Sequence, residues 1–256
     1  MQLHTVQAGE TLTAIGGEYG VSPGLIARVN GLEPPFALAV GQSLLILKPR
    51  ILHTVRSGET LYSVAGQYAI GPLQLLRNNP NLEGRAALFP GQVLVIAWED
   101  TPDTKLETNG YAEPDVQESV LRTILPYSTF LAPFTYGVSK TGGLVPLQDE
   151  TLLRWANQYG VTPWLHLSTL TEDGTFSNER AAVVLATAES RASLADAAIG
   201  TALEKGYGGI DVDFEFIFPE QAEAYANFVA LLRRRANALG LEVVVALAPK
   251  TSADQA

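Results

Sequence analysis

Gly206-Tyr207-Gly208-Gly209-Ile210-Asp211-Val212-Asp213-Phe214-Glu215-Phe216-Ile217 decides how this chain is read. Its residues alternate in steps of two. Ile210, Val212, Phe214 and Phe216 fall on one face of an expected strand, and Asp211, Asp213 and Glu215 on the other. The apolar face suits packing against helices. The other face spaces three carboxylates about 7 Å apart, twice the rise per residue of a strand. Crowded acids repel, which raises at least one pKa unless hydrogen bonds relieve it, and a raised carboxyl pKa is what a general acid needs near neutral pH. Two plainer readings compete: a solvated acidic face, and an Asp-x-Asp site for Mg²⁺ or Mn²⁺. The flanking Tyr-Gly-Gly and Phe-Ile-Phe-Pro favour a buried strand over a solvated one. No His or further acid cluster lies close enough in sequence to favour a metal, so no metal or cofactor is expected.

Around this stretch, strands and helices alternate, which marks a parallel α/β fold. Strands are expected over 108–112, 129–137, 163–170 and 241–248. Helices are expected over 116–125, 150–159, 179–185, 194–205 and 219–239, with Gly206 and Gly240 stopping two of them. In parallel α/β barrels function gathers at the C-terminal strand ends. That rule brings Tyr111, Phe134, Tyr136, His166, Ser168, Glu215 and Lys250 to one rim, with Phe130, Phe134 and Tyr136 sharing a face. Rim aromatics suit stacking on sugar faces. His166, alone in an apolar strand, reads as a hydrogen-bonded core residue, and Arg233-Arg234-Arg235 as a solvated helix face.

The first 98 residues repeat themselves. His4-Thr5-Val6-Gln7-Ala8-Gly9-Glu10-Thr11-Leu12 returns as His53-Thr54-Val55-Arg56-Ser57-Gly58-Glu59-Thr60-Leu61, an offset of 49. Tyr19 returns as Tyr68, Asn30 as Asn79, and Gly41-Gln42 as Gly91-Gln92. A period near 50 means two copies of one small module. Each copy reads strand, helix, helix, strand, with Thr11 or Thr60 near the first helix N-cap and Pro23 or Pro72 opening the second helix. His4 and His53 read as edge-strand residues. The modules span 1–49 and 50–98, an acidic Pro-bearing linker spans 99–106, and the α/β domain spans 107–256.

Both repeats resemble LysM modules, on His-Thr-Val-x-x-Gly-Glu-Thr-Leu, the following Asn, and Gly-Gln before an aliphatic strand. Val40 stands where the family has Pro, and Pro90 restores it in the second copy. The resemblance implies binding of an N-acetylglucosamine-containing glycan, peptidoglycan or chitin. It implies contacts from Gly9, Glu10, Thr11 and Leu12 with the 37–41 loop including Gly41, and from Gly58, Glu59, Thr60 and Leu61 with the 88–91 loop including Pro90 and Gly91. The glycines and threonines also have turn and cap roles to fill. The acidic stretch resembles the Asp-Gly-x-Asp-x-Asp-x-Glu signature of glycoside hydrolase family eighteen, the chitinase-like enzymes, at the end of the fourth strand of a (β/α)8 barrel. The family's first Asp falls on Gly208, a position that supports the other acids.

By that resemblance Glu215 protonates the leaving oxygen, the substrate's own acetamido oxygen is the nucleophile, Asp213 orients the acetamido group, and Asp211 supports Asp213. Tyr111, Phe134, Tyr136 and Ser168 would contact substrate. Two LysM modules ahead of such a barrel resemble bacterial spore cortex-lytic N-acetylglucosaminidases, which implies a spore coat, cortex or cell-wall setting. Residues 248–255 resemble the loop after their fifth strand. Only about five of the eight strand–helix units of a complete barrel are expected in this sequence. A glycan-binding fragment without catalysis is therefore the alternative reading, and a metal-dependent sugar-transfer site on Asp211 and Asp213 a third.

Composition fits these expectations. The 256 residues are 46% hydrophobic and 17% charged, with no Cys, enough apolar surface for a core. No apolar run reaches membrane-span length, and the N-terminus lacks the basic start and apolar stretch of a signal peptide. Residues 1–98 carry a charge of +1 and residues 99–256 a charge of −11, which argues against nucleic acid as a partner of the C-terminal part. Neither nucleic acid nor membrane is an expected partner.

Overall fold

The structure is a computed structural model that describes residues 1–100, 104–171, 174–215 and 217–247. The chain divides into two compact units: Met1–Leu106 with Arg122–Tyr127, and the described residues of Glu107–Leu121 and Ser128–Ala256.

The first unit holds the two repeats. In the first, β1 (Gln2–Thr5) is followed by α1 (Leu12–Tyr19), α2 (Pro23–Val29) and β2 (Ser43–Ile46). In the second, β3 (Pro49–Thr54) is followed by α3 (Leu61–Gln67), α4 (Pro72–Asn78) and β4 (Val93–Trp98). Each strand pair is antiparallel. Thr11 and Thr60 cap α1 and α3, accepting from Ala14 N and Ser63 N, as the sequence predicts. Asn30 closes the first module: its amide donates to Ile26 O and Leu45 O, and its oxygen accepts from Leu45 N. Asn79 repeats this with Leu75 O, Val95 O and Val95 N. One side chain thus ties a helix end to backbone groups of a strand.

The second unit is a parallel sheet with helices. Its elements are β5 (Asn109–Ala112), the start of α5 (Glu118–Ile124), whose last residues belong to the first unit, β6 (Phe130–Pro133), a hairpin of β7 (Gly137–Val138) and β8 (Leu144–Val145), and α6 (Glu150–Tyr159). Then come β9 (Thr162–Ser168), α7 (Asn178–Leu185), α8 (Ala188–Lys205), β10 (Gly209–Asp213), α9 (Ala222–Asn237) and β11 (Glu242–Val245). The strands lie in the order β11-β10-β9-β6-β5, and every neighbouring pair is parallel. Spatial order follows chain order, so the sheet is an arc of five strands wound in one direction, consistent with part of a (β/α)8 barrel. On the helix side, Ile210, Val212 and Phe214 join Leu165, Leu167, Phe228 and Leu232 in one core.

Several boundaries differ from the sequence expectation. The acidic strand ends at Asp213, so Phe214 and Glu215 lie beyond it; Phe216 is outside the described residues. The 129–137 strand breaks after Pro133. Pairing resumes at a single bridge, Tyr136 with Leu167. Leu167 faces the helices, so Tyr136 follows it into that core, 1% exposed, and does not share a face with Phe130 and Phe134. Helix α8 starts six residues earlier than expected, where Thr187 and Ser190 form a reciprocal capping box. Three residues, Pro219–Gln221, form a tight turn before α9. Ala248 and Lys250 lie outside the described residues.

Candidate active site

Parallel register places β9 and β10 side by side, pairing Asp211 with His166 and Asp213 with Ser168. Paired residues of a parallel ladder point to the same face, so His166, Ser168, Asp211 and Asp213 all project away from the helices. Close packing holds the start of β10: a Cβ on Gly209 would sit 2.8 Å from both Glu242 O and Trp164 Nε1. A Cβ on Gly208 would collide with Thr162 Cγ2. Thr162 thus fills the space that the signature's first Asp would need.

The acids are graded by depth. Asp211 is 2% exposed, Asp213 is 9% exposed, and Glu215, past the strand end, is half-buried. Tyr111 Oη, reaching from β5, donates to Asp211 Oδ2 at 2.8 Å. Burial holds the Asp211 carboxyl above the usual aspartate range, and the neighbouring Asp213 adds to this. The Tyr111 hydrogen bond and His166 pull the other way without cancelling it. Desolvation therefore outweighs the mutual repulsion that the sequence suggests. Burial also raises the Tyr111 hydroxyl, with Asp211 contributing. On α9, Tyr225 stacks on Phe214 at 5.8 Å, and burial with the charges of Asp213 and Asp211 pushes its hydroxyl up to about 12.

An aromatic collar surrounds His166. Phe134 stacks on the imidazole at 4.8 Å and Tyr111 meets it edge-on at 5.2 Å. Thr135 Oγ1 lies 2.6 Å from His166 Nδ1 and 3.0 Å from Ser168 Oγ. His166 is a hydrogen-bonded buried residue, as expected from sequence, but its other nitrogen faces Asp213. Of the four expected substrate contacts, the structure brings Tyr111, Phe134 and Ser168 to the acids. Tyr136 is a correction. Its hydroxyl donates to Asp149 Oδ2 at 2.5 Å, in a buried cluster completed by Tyr207 and Lys205. Sequence reasoning missed Thr135 and Tyr225. Thr135 follows directly on Phe134, and Tyr225 lies one helical turn before Phe228 on the buried face of α9. Among the described residues, no three or more His, Cys, Asp or Glu side chains are grouped to hold a metal ion.

In the modules, His4 Nε2 lies 2.9 Å from Glu10 Oε2, and Nδ1 lies 3.2 Å from the Tyr19 hydroxyl. Glu10 Oε2 also accepts from Gln7 N at 2.6 Å. His53, Glu59, Tyr68 and Arg56 N repeat the arrangement. The two histidines are thus buried pins rather than simple edge residues. Gly9, Gly41, Gly58 and Gly91 take positive φ at exposed turns with open space around them. Gly41 N and Gly91 N donate to Val6 O and Val55 O, tying the two loops of each module together. Leu12 and Leu61, expected among the glycan contacts, have side chains buried in the module cores. Val40 and Phe89, 71% and 70% exposed on the second loop, are apolar surface that sequence reasoning missed.

The comparisons with known proteins agree with this division. Residues 4–47 and 53–97 match the LysM domain. Over its whole length the chain is 34% identical to the cortical fragment-lytic enzyme of Bacillus subtilis (strain 168), of which it covers 60%. It is 30% identical to the putative sporulation-specific glycosylase YdhD of the same organism, over 98% of this chain and 59% of that protein. The crystal structure of the Bacillus cereus spore cortex-lytic enzyme SleL superposes with a TM-score of 0.71 at 29% identity, covering 99% of this chain and 60% of that one. A class V chitinase-type structure from Pseudomonas fluorescens Pf-5 shares the fold of part of the chain, with a TM-score of 0.53 at 24% identity over 57% of this chain and 46% of that one. The chain spans about 60% of the length of these two curated relatives.

Proposed function

We propose that this chain, with its two LysM domains and its likeness to cortex-lytic enzymes, hydrolyses β-1,4 bonds that follow N-acetylglucosamine in spore-cortex peptidoglycan or chitin. The modules hold the glycan through the paired loops at Gly9–Thr11 with Val40 and Gly41, and at Gly58–Thr60 with Phe89, Pro90 and Gly91. A spore or cell-wall setting goes with that substrate.

The observation that carries the reading is the depth gradient along one strand end. The most buried acid, Asp211, is gripped by Tyr111, Asp213 sits at the lip, and Glu215 stands partly in solvent. A leaving-group acid must reach the bond, so Glu215 is the proton donor. Asp213, one step deeper on the same face, orients the acetamido group, whose oxygen attacks the anomeric carbon with retention. Asp211, uncharged more readily than an ordinary aspartate, sits deeper on the same face and limits the negative charge beside Asp213. Phe134 and Tyr111 offer ring faces to the sugar.

The test is turnover of a fluorogenic N-acetylglucosamine oligomer, with peptidoglycan pull-down in parallel. Glu215→Gln is expected to lower kcat by roughly 10²–10⁴-fold and to leave pull-down unchanged. Asp213→Asn is expected to cost nearly as much. Turnover unaffected by Glu215→Gln overturns the assignment, and a mild effect of Asp213→Asn removes the substrate-assisted step.

A further inference from the structure

One buried group beside the acids is left without a partner. His166 is 1% exposed, and its Nε2 makes no hydrogen bond. Asp213 Oδ2 lies 3.4 Å from it. The ring cannot turn to find another partner, because Phe134 stacks on its face and Tyr111 abuts its edge. An unpaired buried polar atom costs about 1–3 kcal/mol, so its persistence calls for a reason.

The protonation pattern follows from Thr135. Its single hydroxyl proton has acceptors in Ser168 Oγ at 3.0 Å and His166 O at 3.2 Å. Its oxygen is then free to accept from His166 Nδ1–H across the 2.6 Å contact. With Nδ1 protonated, Nε2 of a neutral ring carries a lone pair 3.4 Å from a carboxylate oxygen. Two lone pairs facing one another in a dry site repel. One proton placed between them removes the repulsion, whichever atom holds it.

We infer that His166 and Asp213 share a single proton, which makes His166 a positioning residue for the Asp213 carboxyl. The inference rests on the glycosidase reading only for its consequence in catalysis. The proton passes from the Asp213 carboxyl to Nε2 and back, giving either carboxylic acid with neutral imidazole or carboxylate with imidazolium; no other bond changes. When a substrate acetamido N–H arrives at Asp213, the carboxylate form accepts it while His166 keeps the proton. Among the described residues, the other titratable groups beside the pair are Asp211 on the same strand, Tyr111 from β5 and Tyr225 from α9, with Glu215 after the strand end. Asp211 stays bound to Tyr111 throughout.

The experiment is ¹⁵N NMR of the full chain labelled with ¹⁵N-histidine, at one neutral pH. Only three histidines are present, and His166→Gln assigns the signals. The His166 Nε2 signal is expected to carry protonated character in the wild type and to move to that of a bare ring nitrogen in Asp213→Asn. The same Nε2 signal in both proteins overturns the inference. This measurement needs no turnover, so it stands or falls separately from the glycosidase reading, which the Glu215→Gln assay decides. In kinetics, His166→Gln is expected to move a limb of the kcat pH profile by about 1 unit and to change kcat more than KM. A uniform fall in kcat with an unmoved profile would show a structural role alone and reject the positioning role.

Discussion

Three histidines occupy two kinds of setting. His4 and His53 in the modules have both ring nitrogens engaged, one by a glutamate and one by a tyrosine hydroxyl. His166 in the barrel has one nitrogen engaged and one facing an acid unbonded. The carboxylates divide the same way. Glu10 and Glu59 are held below the usual range, first by a backbone N–H and then by the histidine. Asp149 also lies below it: burial pushes it up, but Lys205, Tyr136 and Tyr207 together outweigh that. Asp211, with one hydrogen bond and deep burial, lies above. Fully paired polar clusters hold a fold together, while an underpaired buried cluster marks a candidate site for chemistry.

The largest effect on stability is expected at Asp149. Asp149→Ala leaves two buried hydroxyls without their acceptor and Lys205 with Leu147 O and Glu150 in place of its shortest ion pair, and losing one partner of a buried ion pair costs about 3–5 kcal/mol. Denaturant unfolding of the chain reads this directly, and a cost under about 1 kcal/mol would mean that the cluster is not a structural pin. Next comes Asn79→Ala, which orphans backbone groups of α4 and β4 that Asn79 now satisfies; about 1–3 kcal/mol is expected for each buried group left unpaired. Hydrogen exchange should show the loss confined to the second repeat.

Two smaller effects carry opposite signs with pH. Glu10 and Glu59 have depressed pKa values in the folded state. Their stabilisation is full above the ordinary glutamate range and is lost as pH falls through the folded values. The modules should therefore weaken on acidification, and Glu10→Gln with Glu59→Gln should flatten that dependence. Asp211 has a raised pKa, so the folded state binds its proton more tightly than the unfolded chain does. Its contribution to stability falls as pH rises from the ordinary aspartate value through the folded one. Asp211→Asn keeps an acceptor for Tyr111 and should raise the melting temperature slightly at neutral pH while lowering turnover. A lowered melting temperature would place Asp211 with the structural acids.

Much of this contrast is written in the sequence. His4, Glu10 and Tyr19 recur as His53, Glu59 and Tyr68 at one offset, which signals a shared task though not which task. The alternation of Ile210 to Glu215 gives the sheet, its buried face and the acids. It does not show where the strand stops, because side-chain alternation continues past Asp213 although backbone pairing ends there. Tyr136 was unreadable for a related reason: the change of register after Pro133 reverses the face of every later residue. Thr135 and the space filled by Thr162 depend on contacts between strands far apart in sequence, and no periodicity reports them.

The claim that the acids of β10 are underpaired for chemistry is tested most directly by a ¹³C-carboxyl titration of the resting chain. The account predicts that Asp211 loses its proton above the ordinary aspartate range while Glu10 and Glu59 lose theirs below the ordinary glutamate range. Asp211 titrating at or below its ordinary value would contradict it.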